Sequence, residues 1–148
     1  MKSRFLIIIL VFFSLTLFAE VNKFHFYDIK KVRTVEGKIT DFKIEKVYKR
    51  KSSFFFIYID SKDGEKIKIE VCPEWYFSQD IAKGMKIRVK GSDIGEEEKY
   101  RYLIAKEIEV GGDKLILRDK FGFPLWRGKN PHKIGFGDRK RRGRGGKE

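Results

Sequence analysis

SFFFIYIDSKDGEKIKIEVCPEWYF, Ser53 to Phe77, is the stretch from which the fold is read. Two apolar runs flank SKDGEK, where Asp63-Gly64 suits the positive φ angles of a tight hairpin turn. In the returning run Ile67, Ile69 and Val71 alternate with Lys66, Lys68 and Glu70, the period-two pattern of a strand with one buried face. The outgoing run is apolar on both faces: Phe54, Phe56 and Tyr58 point one way, Phe55 and Ile57 the other. One of those sets must fill a core, which leaves the second to be explained.

Upstream, VEGKITDFKIEKVY alternates through Val35, Gly37 and Ile39 and then changes parity to Phe42 and Ile44. A long first strand from Arg33, bent at Gly37 or at a bulge, accounts for the change. Downstream, CPEWYFSQDIAKG breaks the strand rhythm. Pro73 can open a helix, Phe77 and Ile81 are four apart, and Gly84 stands where a C-terminal cap belongs, so a helix of about two turns is predicted. Met85 to Gly91 is a fourth strand, GSDIGEEEK a polar loop, and Tyr100 to Val110 a fifth strand. Gly111-Gly112 then turns into KLILRD, a short extra strand pairing back on the fifth. Three strands, one short helix between strands 3 and 4, and two more strands is the order of the all-β, five-stranded Greek-key OB barrel.

A chain of 148 residues with 41% hydrophobic residues holds one small domain with a real core. Its net charge of +13 and pI near 9.8 point to polyanions: nucleic acid, anionic lipid or acidic polysaccharide. The charge is unevenly placed. From Glu20 to Trp126 there are 23 basic and 19 acidic residues, whereas from Arg127 to Glu148 there are nine basic and two acidic. At the other end Lys2 and Arg4 precede an apolar run from Phe5 to Phe18 and the small residue Ala19, the pattern of a secretory signal peptide over residues 1–19. The run is shorter than the roughly 20 residues a spanning helix needs. The mature protein is therefore expected to be periplasmic or secreted. The alternative is an N-terminal membrane anchor, because Leu17 is bulky for the residue two before the cut. The chain divides into the signal peptide 1–19, a leader 20–31, an OB domain 32–118, and a tail 119–148 that is first aromatic, then basic and Gly-rich.

Several short stretches resemble small secreted or periplasmic bacterial OB-fold proteins, which carry a G-P-x-W-Y turn before the barrel helix and close with L-R-D-x-x-G-x-P-L-W. The first element stands here as Cys72-Pro73-Glu74-Trp75-Tyr76, with Cys in place of Gly. The second stands as Leu117-Arg118-Asp119, Gly122 and Pro124-Leu125-Trp126. The resemblance runs from about Arg33 to Gly128 and implies the fold; it carries little about function. A more distant similarity to periplasmic OB-fold groups that include a haem chaperone would imply a haem-attaching His followed by a Tyr. His132 has no such Tyr after it, so that activity is not carried over.

The candidate sites arise from these patterns. Phe54, Phe56 and Tyr58, flanked by Lys49, Arg50, Lys51, Lys66 and Lys68, form a candidate platform for bases or sugars on the barrel's outer face. The competing reading is that the leader aromatics or Phe121 to Trp126 cover that set. Arg139, Lys140, Arg141, Arg142 and Arg144 form a candidate polyanion arm acting by counterion release. Cys72 continues the parity of Lys68 and Glu70, and its neighbours Glu70 and Glu74 are too few for a metal site. His25 and His132 lie in opposite flanks, and no nucleophile–base spacing is recognisable. The chain is thus expected to be a non-catalytic binding module with no metal and no cofactor. Its partner is expected to be an anionic polymer or membrane surface, with an envelope protein partner also open. The alternative is a binder of single-stranded nucleic acid.

Overall fold

The computed structural model describes residues 25–47 and 52–129. The expected signal peptide, the start of the leader and the arm Arg139 to Arg144 lie outside the described residues.

Six strands form one sheet: β1 (Val32–Lys46), β2 (Ser53–Ser61), β3 (Lys66–Pro73), β4 (Lys86–Glu97), β5 (Tyr100–Val110) and β6 (Asp113–Ile116). Their order is β3-β2-β1-β4-β5-β6, and β3 also pairs in parallel with β5. That last pairing closes five strands into a barrel and leaves β6 bonded outside on β5, the OB-type arrangement expected from the strand order. The hairpin at Asp63-Gly64 is present, with Gly64 at φ +84°. Inside the barrel, register sets Ile39 opposite Ile59, Ile59 opposite Ile67, Ile57 opposite Ile69, and Ile69 beside Leu103. All are buried. Mostly β-branched residues on alternate positions of the five barrel strands give the closed core from which most of the stability derives.

The parity change in β1 is a bulge between Ile39 and Asp41. Its cause is visible in the backbone: Ile39 donates to the Met85 carbonyl at 2.9 Å and accepts from Gly84 N–H at 2.7 Å, so one residue of β1 is diverted to hold the approach to β4. Gly37, on the same strand, carries a close approach. A Cβ there would overlap the Asp60 carbonyl oxygen.

Three expectations are corrected. The helix of about two turns is a single 3-10 turn, Glu74–Tyr76, with no side-chain cap. Phe77 is extended instead, and its ring stacks on Phe55 with centroids 4.1 Å apart. Plugging the barrel with one ring outweighs the weak helix propensity of a run rich in aromatics. Second, GSDIGEEEK is not a loop; β4 continues to Glu97, with register shifts at Lys90/Gly91 and Asp93/Gly95. Asp93 stabilises the second shift by accepting from Gly95 N–H at 3.0 Å and pairing with Arg101 at 2.7 Å. Third, the register of β3 shifts between Glu70 and Cys72, so Cys72 stands opposite Phe55 and no longer shares the face of Lys68 and Glu70.

Gly37→Ala tests the β1–β2 approach. It is expected to destabilise the protein by about 2 kcal/mol, the usual scale for forcing atoms into a packed site, seen as a lower denaturant midpoint; an unchanged midpoint would contradict the geometry.

Candidate functional site

The outer face of β2 and β3 is where an OB-type barrel stacks bases or holds sugars. In this chain it is occupied from within. Phe54, Phe56 and Tyr58 are 2%, 2% and 7% exposed. Trp126 meets Phe54 edge-on at 6.1 Å, Tyr102 meets Phe56 at 6.3 Å, and Tyr100 meets Tyr58 at 5.1 Å. The three rings do share a face, as the alternation requires, but the exposed platform expected from them is corrected to a covered one.

Of the flanking basic residues, Lys49, Arg50 and Lys51 lie outside the described residues, and Lys66 and Lys68 are engaged. Lys66 pairs with Asp60 at 3.6 Å. Lys68 donates to Glu45 Oε2 at 2.9 Å while its ammonium lies 4.7 Å from the Phe56 ring centre, and Glu45 Oε1 accepts from the Tyr58 hydroxyl at 2.7 Å. Burial alone would raise the Glu45 pKa, but the bonds from Lys68 and Tyr58 outweigh it and hold the carboxyl below its ordinary value. The Tyr58 hydroxyl moves the other way, pushed up by burial and then by Glu45. Beside this group, Tyr102 donates to Glu70 Oε2 at 2.6 Å, and its hydroxyl is pushed well up by burial and by the Glu70 charge. His25, from the leader, stacks on Tyr102 with centroids 4.2 Å apart and sets Nε2 2.7 Å from Glu97. Sequence reasoning singles out neither Glu45 nor Tyr102; it sets His25 aside as lying in a flank and reads Glu97 as part of a polar loop. The available signal was parity, which places Glu45, Tyr58 and Lys68 on one face. The network holds the face together by bonds among its own members.

What covers Phe54 is a strap, Leu117 to Lys129. Arg118, buried, stacks between Tyr27 of the leader at 5.1 Å and Trp126 at 5.2 Å, and donates from Nη1 to the Gly122 carbonyl at 3.0 Å. Asp119 Oδ1 accepts from the backbone N–H groups of Phe121 and Phe123, both at 2.9 Å, and closes the turn. Gly122 sits at φ +87°, and a Cβ there would stand 2.5 Å from the Tyr27 ring. The L-R-D-x-x-G-x-P-L-W motif is therefore the fastening of the strap.

A separate cleft of about 1010 Å³ between β1, β2, β4 and the β5–β6 turn is lined by Ile39, Ile87 and Val110. Its rim is mostly paired: Glu36 binds Lys62 and lies 3.5 Å from Arg88, and Lys114 reaches Glu107 at 3.2 Å. Lys38 and Lys86 complete the rim. Among the described residues, no group of three or more His, Cys, Asp or Glu could hold a metal ion.

A family model described as the MamS/MamX magnetosome protein family matches residues 31–115, from the start of β1 into β6 and more than half of the 148-residue chain. The chain belongs to this family. The match takes in the whole closed barrel and ends before the strap. A comparison with curated proteins returns no match.

Cys72 is fully buried, and burial pushes its thiol up to about 12. The native protein is expected to resist thiol reagents at mildly alkaline pH and to react once unfolded in guanidinium. Prompt reaction of the native protein would contradict this placement.

Proposed function

We propose that the chain is an exported, non-catalytic OB-type binding module that contacts an anionic ligand or surface, chiefly through its C-terminal arm. The observation that carries the reading is the division of charge. The described residues hold 21 basic and 18 acidic side chains, and most of those near the candidate sites neutralise one another; residues 130–148 hold seven basic and two acidic. Such an arm gains from releasing counterions when it meets a polyanion. The β1–β2 connection adds Lys49, Arg50 and Lys51 to the same balance. The signal-peptide pattern of residues 1–19 supports an envelope or extracellular location, where anionic lipid and acidic polymers are the polyanions at hand. The family's description names magnetosome proteins, and the surface in question is proposed to be one that a magnetosome presents.

The non-catalytic part of the reading rests on the state of the reactive groups. Cys72 is buried and protonated, and His25 is committed to Glu97 and Tyr102. The single-strand reading would need the strap to leave before a base could stack on Phe54, and Tyr102 of β5 to move before one could stack on Phe56.

Deleting Arg139 to Glu148 is expected to move elution from heparin to much lower salt, with the folded barrel intact by circular dichroism. Elution at unchanged salt would overturn the arm's role.

A further inference from the structure

The strap that fastens the fold leaves an apolar surface on its outside. Phe121 and Phe123 are 63% and 54% exposed, and between them Gly122 lies so close to the leader that a Cβ there would stand 2.5 Å from the Tyr27 ring and 3.5 Å from Ile29. Ile29 and Phe26, from the leader, are 57% and 72% exposed. Four large apolar side chains thus lie within two residues of one contact, where a soluble surface usually scatters them singly. We propose that this surface is a docking face for an anionic lipid bilayer. The proposal deepens the anionic-surface reading above and rests on it for the kind of surface.

Three observations name lipid as the occupant. The aromatics carry cations: the Lys120 ammonium is 4.9 Å from the Phe121 ring centre, and the Arg127 guanidinium is 5.9 Å from that of Phe123. Lys30 and Lys31 stand beside Ile29 in the last turn of the short leader helix. A ring topped by a cation matches the boundary of a bilayer, with the ring at the acyl border and the charge at headgroup phosphate. Second, the chain beyond the described residues continues from this strap. Lys129, three residues after Trp126, joins the segment that carries the basic arm. Trp126 stacks on Arg118, so the arm follows directly on the fastening. Third, the face is built from leader and strap residues that lie outside all six strands, so docking takes no strand of the barrel. One apolar cluster plus a polybasic segment is the two-signal combination that gives stable, reversible membrane attachment.

The test uses the full chain with an environment-sensitive fluorophore at Phe121→Cys and, as the control, at Asp63→Cys in the β2–β3 turn; buried Cys72 takes no label. Emission from position 121 is expected to shift to the blue on phosphatidylglycerol-containing vesicles and much less on pure phosphatidylcholine, while position 63 keeps its aqueous emission on both. Equal shifts at the two positions, or no shift at 121, overturn the docking face. The paired variant Phe121→Ser with Phe123→Ser is expected to lower partitioning into the anionic vesicles several-fold and to keep heparin retention. Loss of heparin retention on deleting the arm bears on the arm alone, and the emission at 121 bears on the face alone.

Discussion

The rest of the architecture depends on the guanidinium of Arg118, held between Tyr27 and Trp126. A buried cation is tolerated when it is stacked and hydrogen-bonded, and here the stack joins three parts of the chain. Tyr27 brings in the leader, Arg118 comes directly after buried Leu117, and Trp126 carries the strap onto Phe54 and Tyr76. Each cation–aromatic contact contributes on the order of 1 kcal/mol. The larger effect is that three segments are ordered together, so that the face used for recognition in many OB-type barrels becomes part of the core. Closing that face transfers any role in recognition to its surroundings.

The barrel was legible in the sequence because alternation is a local property. Ile67, Ile69 and Val71 against Lys66, Lys68 and Glu70 name the inner and outer faces of β3 without reference to any other strand. What was not legible depends on partners distant in sequence. Phe77 reads as a helix position four before Ile81, and only the presence of Phe55 makes it a plug. Cys72 reads as outward-facing, and only a one-residue slip in pairing turns it inward. The polar stretch after Gly91 reads as a loop because the Asp93–Arg101 pairing that keeps it in β4 joins residues on two strands. The candidate site shares this limit. Alternation correctly grouped Phe54, Phe56 and Tyr58, but whether a shared face is open or covered is decided by Tyr100, Tyr102 and Trp126, some forty to seventy residues on.

Electrostatically the molecule is built in two regimes. On the barrel, acids and bases are matched nearly one to one, and Glu45 shows the consequence. Its folded pKa is depressed, so its contribution to stability is present above the ordinary carboxylate pKa and is lost as pH falls through the folded value. In the C-terminal arm, like charges succeed one another with glycines between and acids almost absent. A matched surface gains little from approaching an anion; an unmatched arm gains in proportion to the phosphates it neutralises, and loses that gain in salt. On this account stability belongs to the barrel and attraction to its C-terminal flank.

Amide hydrogen exchange of the full chain, with and without phosphatidylglycerol vesicles, tests this division most directly. The account predicts added protection in residues 25–31 and 117–129, with β2 and β3 unchanged. Added protection centred on Ser53 to Pro73, with the strap unaffected or loosened, would contradict it and return recognition to the barrel face.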